Sequence, residues 1–131
     1  MTTISIAVDE RGVATVTVDH PPVNLMIVKM LFELAEAADR LANDDAVRVV
    51  VLRSANPEWF IAHFDVEAIL SFPVEPSAEP ASEPSGDESE DDPRAELNVF
   101  DRMCETLRTM PKPTIALIEG RAAGGGSELA G

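Results

Sequence analysis

With a single cysteine, Cys104, the 131-residue chain has no internal disulfide framework, which fits a reducing compartment. No apolar run approaches the roughly 18 residues that span a bilayer. The first ten residues, Met1 to Glu10, lack the basic region and apolar core of a secretory signal. Both absences point to a cytoplasmic protein with no membrane partner. Basic residues are scarce, since ten Lys and Arg face 24 Asp and Glu for a formal net charge of −14. A surface of that sign repels nucleic acid and anionic lipid, and so disfavours both as partners. Lys and Arg are missing altogether from Phe72 to Pro93, where five of the ten prolines and eight of the 24 acids collect. Such a stretch buries too little apolar surface to offset its ordering entropy. It predicts a disordered, acidic Pro/Ser-rich insertion at about residues 72–93 within one domain.

The remainder is periodic. Ile4, Ile6 and Val8 alternate with small or polar residues, and so does the run from Val13 to Asp19; Glu10-Arg11-Gly12 between them supplies a hairpin turn. His20-Pro21-Pro22-Val23-Asn24 breaks the pattern, and Asn24 is a candidate helix N-cap. Ile27, Leu31, Leu34, Ala38 and Leu41 then step by four and three, the apolar stripe of an amphipathic helix that Asn43-Asp44-Asp45 ends. Val47 to Arg53 is nearly continuous in β-branched residues, as in a strand covered on both faces. A short apolar stretch follows from Trp59 to Val66, then a brief helical piece through Leu70. Beyond the acidic segment, Leu97, Phe100, Cys104 and Leu107 form a second helical stripe closed by Pro111. The order ββαβαβ predicts an α/β domain whose sheet is largely parallel after the hairpin.

The last stretch carries the chemistry. Thr114 to Ile118 reads as a buried strand, followed by a tight turn, three glycines (Gly124, Gly125, Gly126) and the opening of a helix. Glycines let backbone approach a ligand, and helix N-terminal amides favour developing negative charge. Glu128 lies within one turn, placed to act as an acid or base on whatever those amides hold; alone it is equally an acid favoured by the helix dipole. No Lys-Ser/Thr pair follows the glycines, so they are no Walker-type phosphate loop. His63 with Asp65 makes a poor metal site for want of further ligands, so no metal is expected. His63 reads as a polar contact or a structural histidine, and Cys104 as a core residue.

Taken together, Pro22-Val23-Asn24 after a hairpin, Ala62-His63-Phe64-Asp65 after a buried strand, and Gly124-Gly125-Gly126-Ser127-Glu128-Leu129-Ala130 resemble the enoyl-CoA hydratase/isomerase (crotonase) family. The resemblance covers nearly all of the chain outside the acidic segment. It implies a crotonase-like ββα-type spiral and an acyl-CoA thioester substrate, with coenzyme A as its carrier and no permanently bound cofactor. It also implies two backbone amides, Phe64 and Gly125, as an oxyanion hole, with Ala62, His63, Phe64, Asp65 and Gly125 contacting substrate or CoA. Glu128 matches the first of two catalytic glutamates in the hydratases, which favours water addition over isomerisation. Where the family carries small residues, His63 and Phe64 bring bulk. Relatives are about twice as long, so the chain is expected to be the N-terminal half of a crotonase-like domain, incomplete at its C-terminus. The second glutamate and the helices that assemble trimers, or dimers of trimers, would lie beyond it.

Two readings result. One is an enoyl-CoA hydratase-type protein, homo-oligomeric when complete. The other is a catalytically inactive acyl-CoA-binding or subunit-interaction module. The compositional reading has its own test in hydrogen exchange. Weak amide protection is expected throughout Val74 to Asp92, and strong protection at any amide there contradicts it.

Overall fold

The computed structural model describes residues 1–71 and 98–131. The acidic segment expected at 72–93, and Leu97 of the second stripe, lie outside the described residues. Strands β1 (Ile4–Val8) and β2 (Val13–Val18) form the antiparallel hairpin. Helix α1 (Val28–Asn43) then crosses to β3 (Val49–Ser54), which pairs parallel with β2. A short strand β4 (Trp59–Ile61), α2 (Val66–Ser71) and α3 (Val99–Thr109) precede β5 (Thr114–Leu117), which pairs parallel with β3. The four-stranded sheet therefore runs β1-β2-β3-β5, as the element order predicts. A two-residue strand β6 (Arg121–Ala122) pairs parallel with β4, and α4 (Gly125–Ala130) follows it.

Register decides which side chains are buried. Ala14, Val16 and Val18 stand beside Val50, Leu52 and Ser54, and all six are buried on one face. Met30, Leu31, Leu34, Ala38 and Leu41 of α1 and Met103 of α3 close over that face as one core. The opposite face carries Val49, Val51 and Arg53, which are only half-buried, and Ile115 and Leu117 of β5, which are 51% and 43% exposed. The expectation of a β3 strand covered on both faces, and of a buried β5, is thus corrected. Both helical crossovers lie on the same side, and β5 is the end strand of the sheet among the described residues. The turn expected after β5 contains β6, whose two residues are too short to leave a periodic signal.

Polar ties lock the elements at their ends. Thr106 Oγ1 donates to Asp39 Oδ1 (3.5 Å) between α3 and α1. Lys112 Nζ donates to the carbonyls of Leu41 (2.5 Å) and Asp44 (2.6 Å) and so satisfies the C-terminal end of α1. In the hairpin turn, Asp9 Oδ1 accepts from the Val13 and Arg11 N–H groups. The Val13 bond is the foremost cause that holds the Asp9 carboxyl below the usual carboxylate range.

Asn24 is not a helix cap. Ile27 holds that position with no side-chain bond, and Asn24 sits three residues earlier in the left-handed region, at φ 53°. It is completely buried. Its Oδ1 accepts from the His20 N–H (2.7 Å), while its Nδ2 donates to Ser54 Oγ (2.7 Å) and the Phe60 carbonyl (3.0 Å). An asparagine tolerates the left-handed conformation and supplies both a donor and an acceptor, which explains the residue type. Asn24→Ala is expected to cost about 2–4 kcal/mol, because it orphans buried partners and strains the backbone. Asn24→Gly relieves the strain alone and recovers about 1 kcal/mol of that. Urea denaturation of the three proteins checks both values.

Candidate active site

Beyond β4 the chain runs parallel to the residues that follow Asn24. Ala62 N–H donates to the Asn24 carbonyl (3.3 Å), Met26 N–H to the His63 carbonyl (2.9 Å), and Asp65 N–H to the Met26 carbonyl (2.9 Å). Met26 therefore takes the bonds on either side of Phe64, and the bridge between the two directs Phe64's own N–H to the opposite side. Among the described residues, that N–H donates to no protein acceptor.

The glycine turn approaches from the other side. The N–H of Ala123 donates to the Ile61 carbonyl (3.2 Å), which anchors the turn to β4. Gly124 has φ 49°, and a Cβ there would lie 3.1 Å from the Cβ of His63. Gly126 is packed on Ile61 so closely that a side chain would collide with its carbonyl. The Ser127 and Glu128 N–H groups both donate to the Gly124 carbonyl, and the Gly126 N–H to that of Ala123. Gly125's N–H, like that of Phe64, is left without a protein acceptor among the described residues. The positive φ of this turn falls on Gly124, not on Gly125. A Cβ on Gly125 would meet only the Phe100 ring (3.7 Å) and Met26 Sδ (3.8 Å) at ordinary contact distance.

Both residues line one open groove of about 960 Å³, together with His63, Gly124 and Glu128. Its walls are Leu31 and Phe32 of α1, Val66 and Ile69 of α2, and Asn98, Val99 and Phe100 of α3. Of the expected site residues, Ala62 and Asp65 lie elsewhere. Ala62 is buried behind the site, and Asp65 caps α2 by accepting from the Glu67 N–H (3.0 Å). The wall residues on α1, α2 and α3 had no place in the sequence reading of the site. Their spacing signals core packing, and only the fold shows that three helices leave a gap.

Two titratable groups, His63 and Glu128, stand beside the amides among the described residues, and Cys104 lies beyond Glu128. The His63 ring donates from Nδ1 to the Phe64 carbonyl (2.7 Å), which turns Nε2 outward as the free ring nitrogen. Glu128 is exposed and borders both the groove and an adjoining cavity of about 580 Å³ that Cys104 also lines. Burial, then the charges of Asp101 and Glu128, push the Cys104 thiol above its ordinary range, so it stays protonated and is no nucleophile. No cluster of three or more His, Cys, Asp or Glu able to hold a metal occurs among the described residues.

The packing gives the neighbouring glycines opposite fates. Gly126→Ala is expected to cost more than about 2 kcal/mol through the collision with Ile61. Gly125→Ala, in a helical conformation, should be neutral or stabilising by up to about 1 kcal/mol while it narrows the groove. Thermal unfolding of both variants checks this, and equal destabilisation would contradict it.

The arrangement has counterparts in known proteins. The sequence profile of the family described as "Enoyl-CoA hydratase/isomerase" matches residues 9–131. A Bacillus subtilis (strain 168) protein described as "Probable enoyl-CoA hydratase" is 30% identical over 130 residues, 99% of this chain and 44% of that one. The alpha subunit of a fatty acid oxidation complex from Idiomarina loihiensis is 30% identical over 96% of this chain and 16% of its own length. Among solved structures, an enoyl-CoA hydratase/carnithine racemase from Magnetospirillum magneticum superposes with a TM-score of 0.73 at 31% identity, over 99% of this chain and 43% of that one. The chain thus spans less than half the length of these relatives. The fold is crotonase-type α/β with a mostly parallel sheet, and the chain belongs to the enoyl-CoA hydratase/isomerase family.

Proposed function

We propose that the groove binds an acyl-CoA thioester and that its chemistry is of the enoyl-CoA hydratase type. The observation that carries this is the pair of N–H groups, Phe64 and Gly125, without acceptors among the described residues, on one groove that Glu128 borders. When water adds across the C2=C3 bond of a 2-enoyl thioester, charge builds on the thioester oxygen. Two fixed amides stabilise that charge without reorganising, each being worth about 10²–10³ in rate. Glu128 takes a proton from the attacking water, the water oxygen bonds to C3 as the C2=C3 electron pair moves toward the thioester oxygen, and the enolate collapses as Glu128 returns that proton to C2. The net change is one water added and nothing oxidised or reduced.

Coenzyme A enters as part of the substrate, and no separate cofactor takes part in this step. His63 and Phe64 bring bulk beside the amide that Phe64 contributes, so the thioester must approach past an imidazole and a phenyl ring. The resemblance to a fatty acid oxidation complex subunit supports a role in fatty acid metabolism; a cytoplasmic homo-oligomer is a further part of this proposal. Ile115, Leu117 and Ile118, each more than two-fifths exposed, offer apolar surface for such an assembly.

Glu128→Gln is expected to retain thioester binding within about threefold and to lower enoyl-CoA hydration by at least about 10²-fold. Undiminished turnover in this variant contradicts the assignment. Tight thioester binding with no turnover in the parent chain favours the alternative of an acyl-CoA-binding module.

A further inference from the structure

Resting on the thioester reading of the groove, we propose that His63 is a further donor to the thioester oxygen, active when its ring is protonated and silent when the ring is neutral. The placement comes from the backbone. His63 immediately precedes Phe64 and Gly124 immediately precedes Gly125, so each stands one residue before a proposed donor amide. The two face each other closely, since a Cβ on Gly124 would lie 3.1 Å from the Cβ of His63. The imidazole therefore springs from the point where the two amide-bearing segments meet. It lines the same groove, at an exposed position that exchanges protons with solvent.

One hydrogen bond fixes what this ring can offer. Nδ1 lies 2.7 Å from the Phe64 carbonyl, which only accepts, so Nδ1 carries a hydrogen whenever that bond is made. The neutral ring then has a lone pair on Nε2, and a lone pair repels an oxygen on which negative charge builds. Protonation replaces the lone pair with an N–H and turns the repulsion into a charge-assisted bond. The added proton stays on the ring, so the net reaction remains the addition of one water. Imidazoles make this change between about pH 5 and pH 8. Among the described residues, the other ionisable groups around the site are Glu128 on α4, Asp65 and Glu67 at the start of α2, and Asp101 in the first turn of α3, while α1 presents Leu31 and Phe32. Carboxylates as a class hold one charge over roughly pH 6 to 8, which leaves that window to the imidazole.

Carbon-13 NMR of the full chain saturated with octanoyl-CoA, labelled at the thioester carbonyl, tests this without turnover, since a stronger hydrogen bond to the oxygen moves that carbon downfield. In the parent protein the bound signal is expected to move downfield as the pH falls from about 8 to about 6. Its midpoint should equal that of the His63 ring, read from the ring's own ¹⁵N signals in the same sample. His63→Phe keeps a flat ring at this exposed position but removes both nitrogens, and at saturation its bound carbonyl signal should stay in place over that range. His63→Asn, a second variant with no titrating group, should behave in the same way. A bound signal that ignores pH in the parent protein overturns the inference and leaves the thioester reading in place. A pH-dependent shift that persists in the variants also overturns it, because another group then titrates. Failure of octanoyl-CoA to bind at any pH overturns the thioester reading and the inference together.

Discussion

The parallel seam between residues 24–26 and 60–65 is the constraint on which the rest of the site depends. It is made almost wholly of backbone bonds, and the buried amide of Asn24 ties its start to β3 through Ser54 and to β4 through the Phe60 carbonyl. Each such bond contributes only about 0.5–1.5 kcal/mol net, but buried donors and acceptors left open cost more than a made bond gains. The seam therefore holds one register. That register directs the Phe64 N–H away from Met26, and the β4–β6 pairing brings the glycine turn onto Ile61 from the other side. Two amides far apart in the chain thus share one frame of reference.

In the proposed site the anion-stabilising groups come from backbone, and that has a consequence for the side chains. Phe64 and its neighbour His63 are free to vary in size without removing the donor, so catalytic apparatus and substrate wall separate onto different parts of the same residues. Gly124 and Gly126 carry the steric demand, one through its positive φ and the other through contact with Ile61. Gly125 between them lines the groove, with Phe100 and Met26 at ordinary contact distance from where a Cβ would lie. Glu128 stands one turn further on, its charge felt by Cys104. The reactive groups are therefore few, and the apolar helices around them decide what reaches them.

Much of this was legible in the residues. The hairpin, the α1 stripe and the parallel order follow from periodicities of two and about 3.6, which register and burial then obey; on α3 the stripe residues Phe100, Cys104 and Leu107 are only half-buried, and Met103 and Thr106 are the buried ones. The glycine run and Glu128 stood out because they follow a strand and open a helix in the order the family carries, whereas the glycines alone are a weak signal. Two kinds of feature escaped. Asn24 after two prolines has the local signature of a cap, and only the tertiary position of Ser54 and Phe60 reveals a buried tie. The exposed face of β5 was invisible because Thr114 to Ile118 is composed like any buried strand, whereas its exposure depends on which layers are present. The groove wall is likewise a property of three helices together, not of any one stripe.

The central claim is that the Phe64 and Gly125 amides jointly hold the thioester oxygen. The most direct measurement is a two-dimensional ¹H–¹⁵N spectrum of the full chain titrated with octanoyl-CoA. If the claim holds, the Phe64 and Gly125 amide protons move downfield together and saturate at one concentration, as new hydrogen bonds form. If both stay in place while the thioester saturates the protein, or if only amides outside the groove respond, the oxyanion site is not where the fold has been taken to build it.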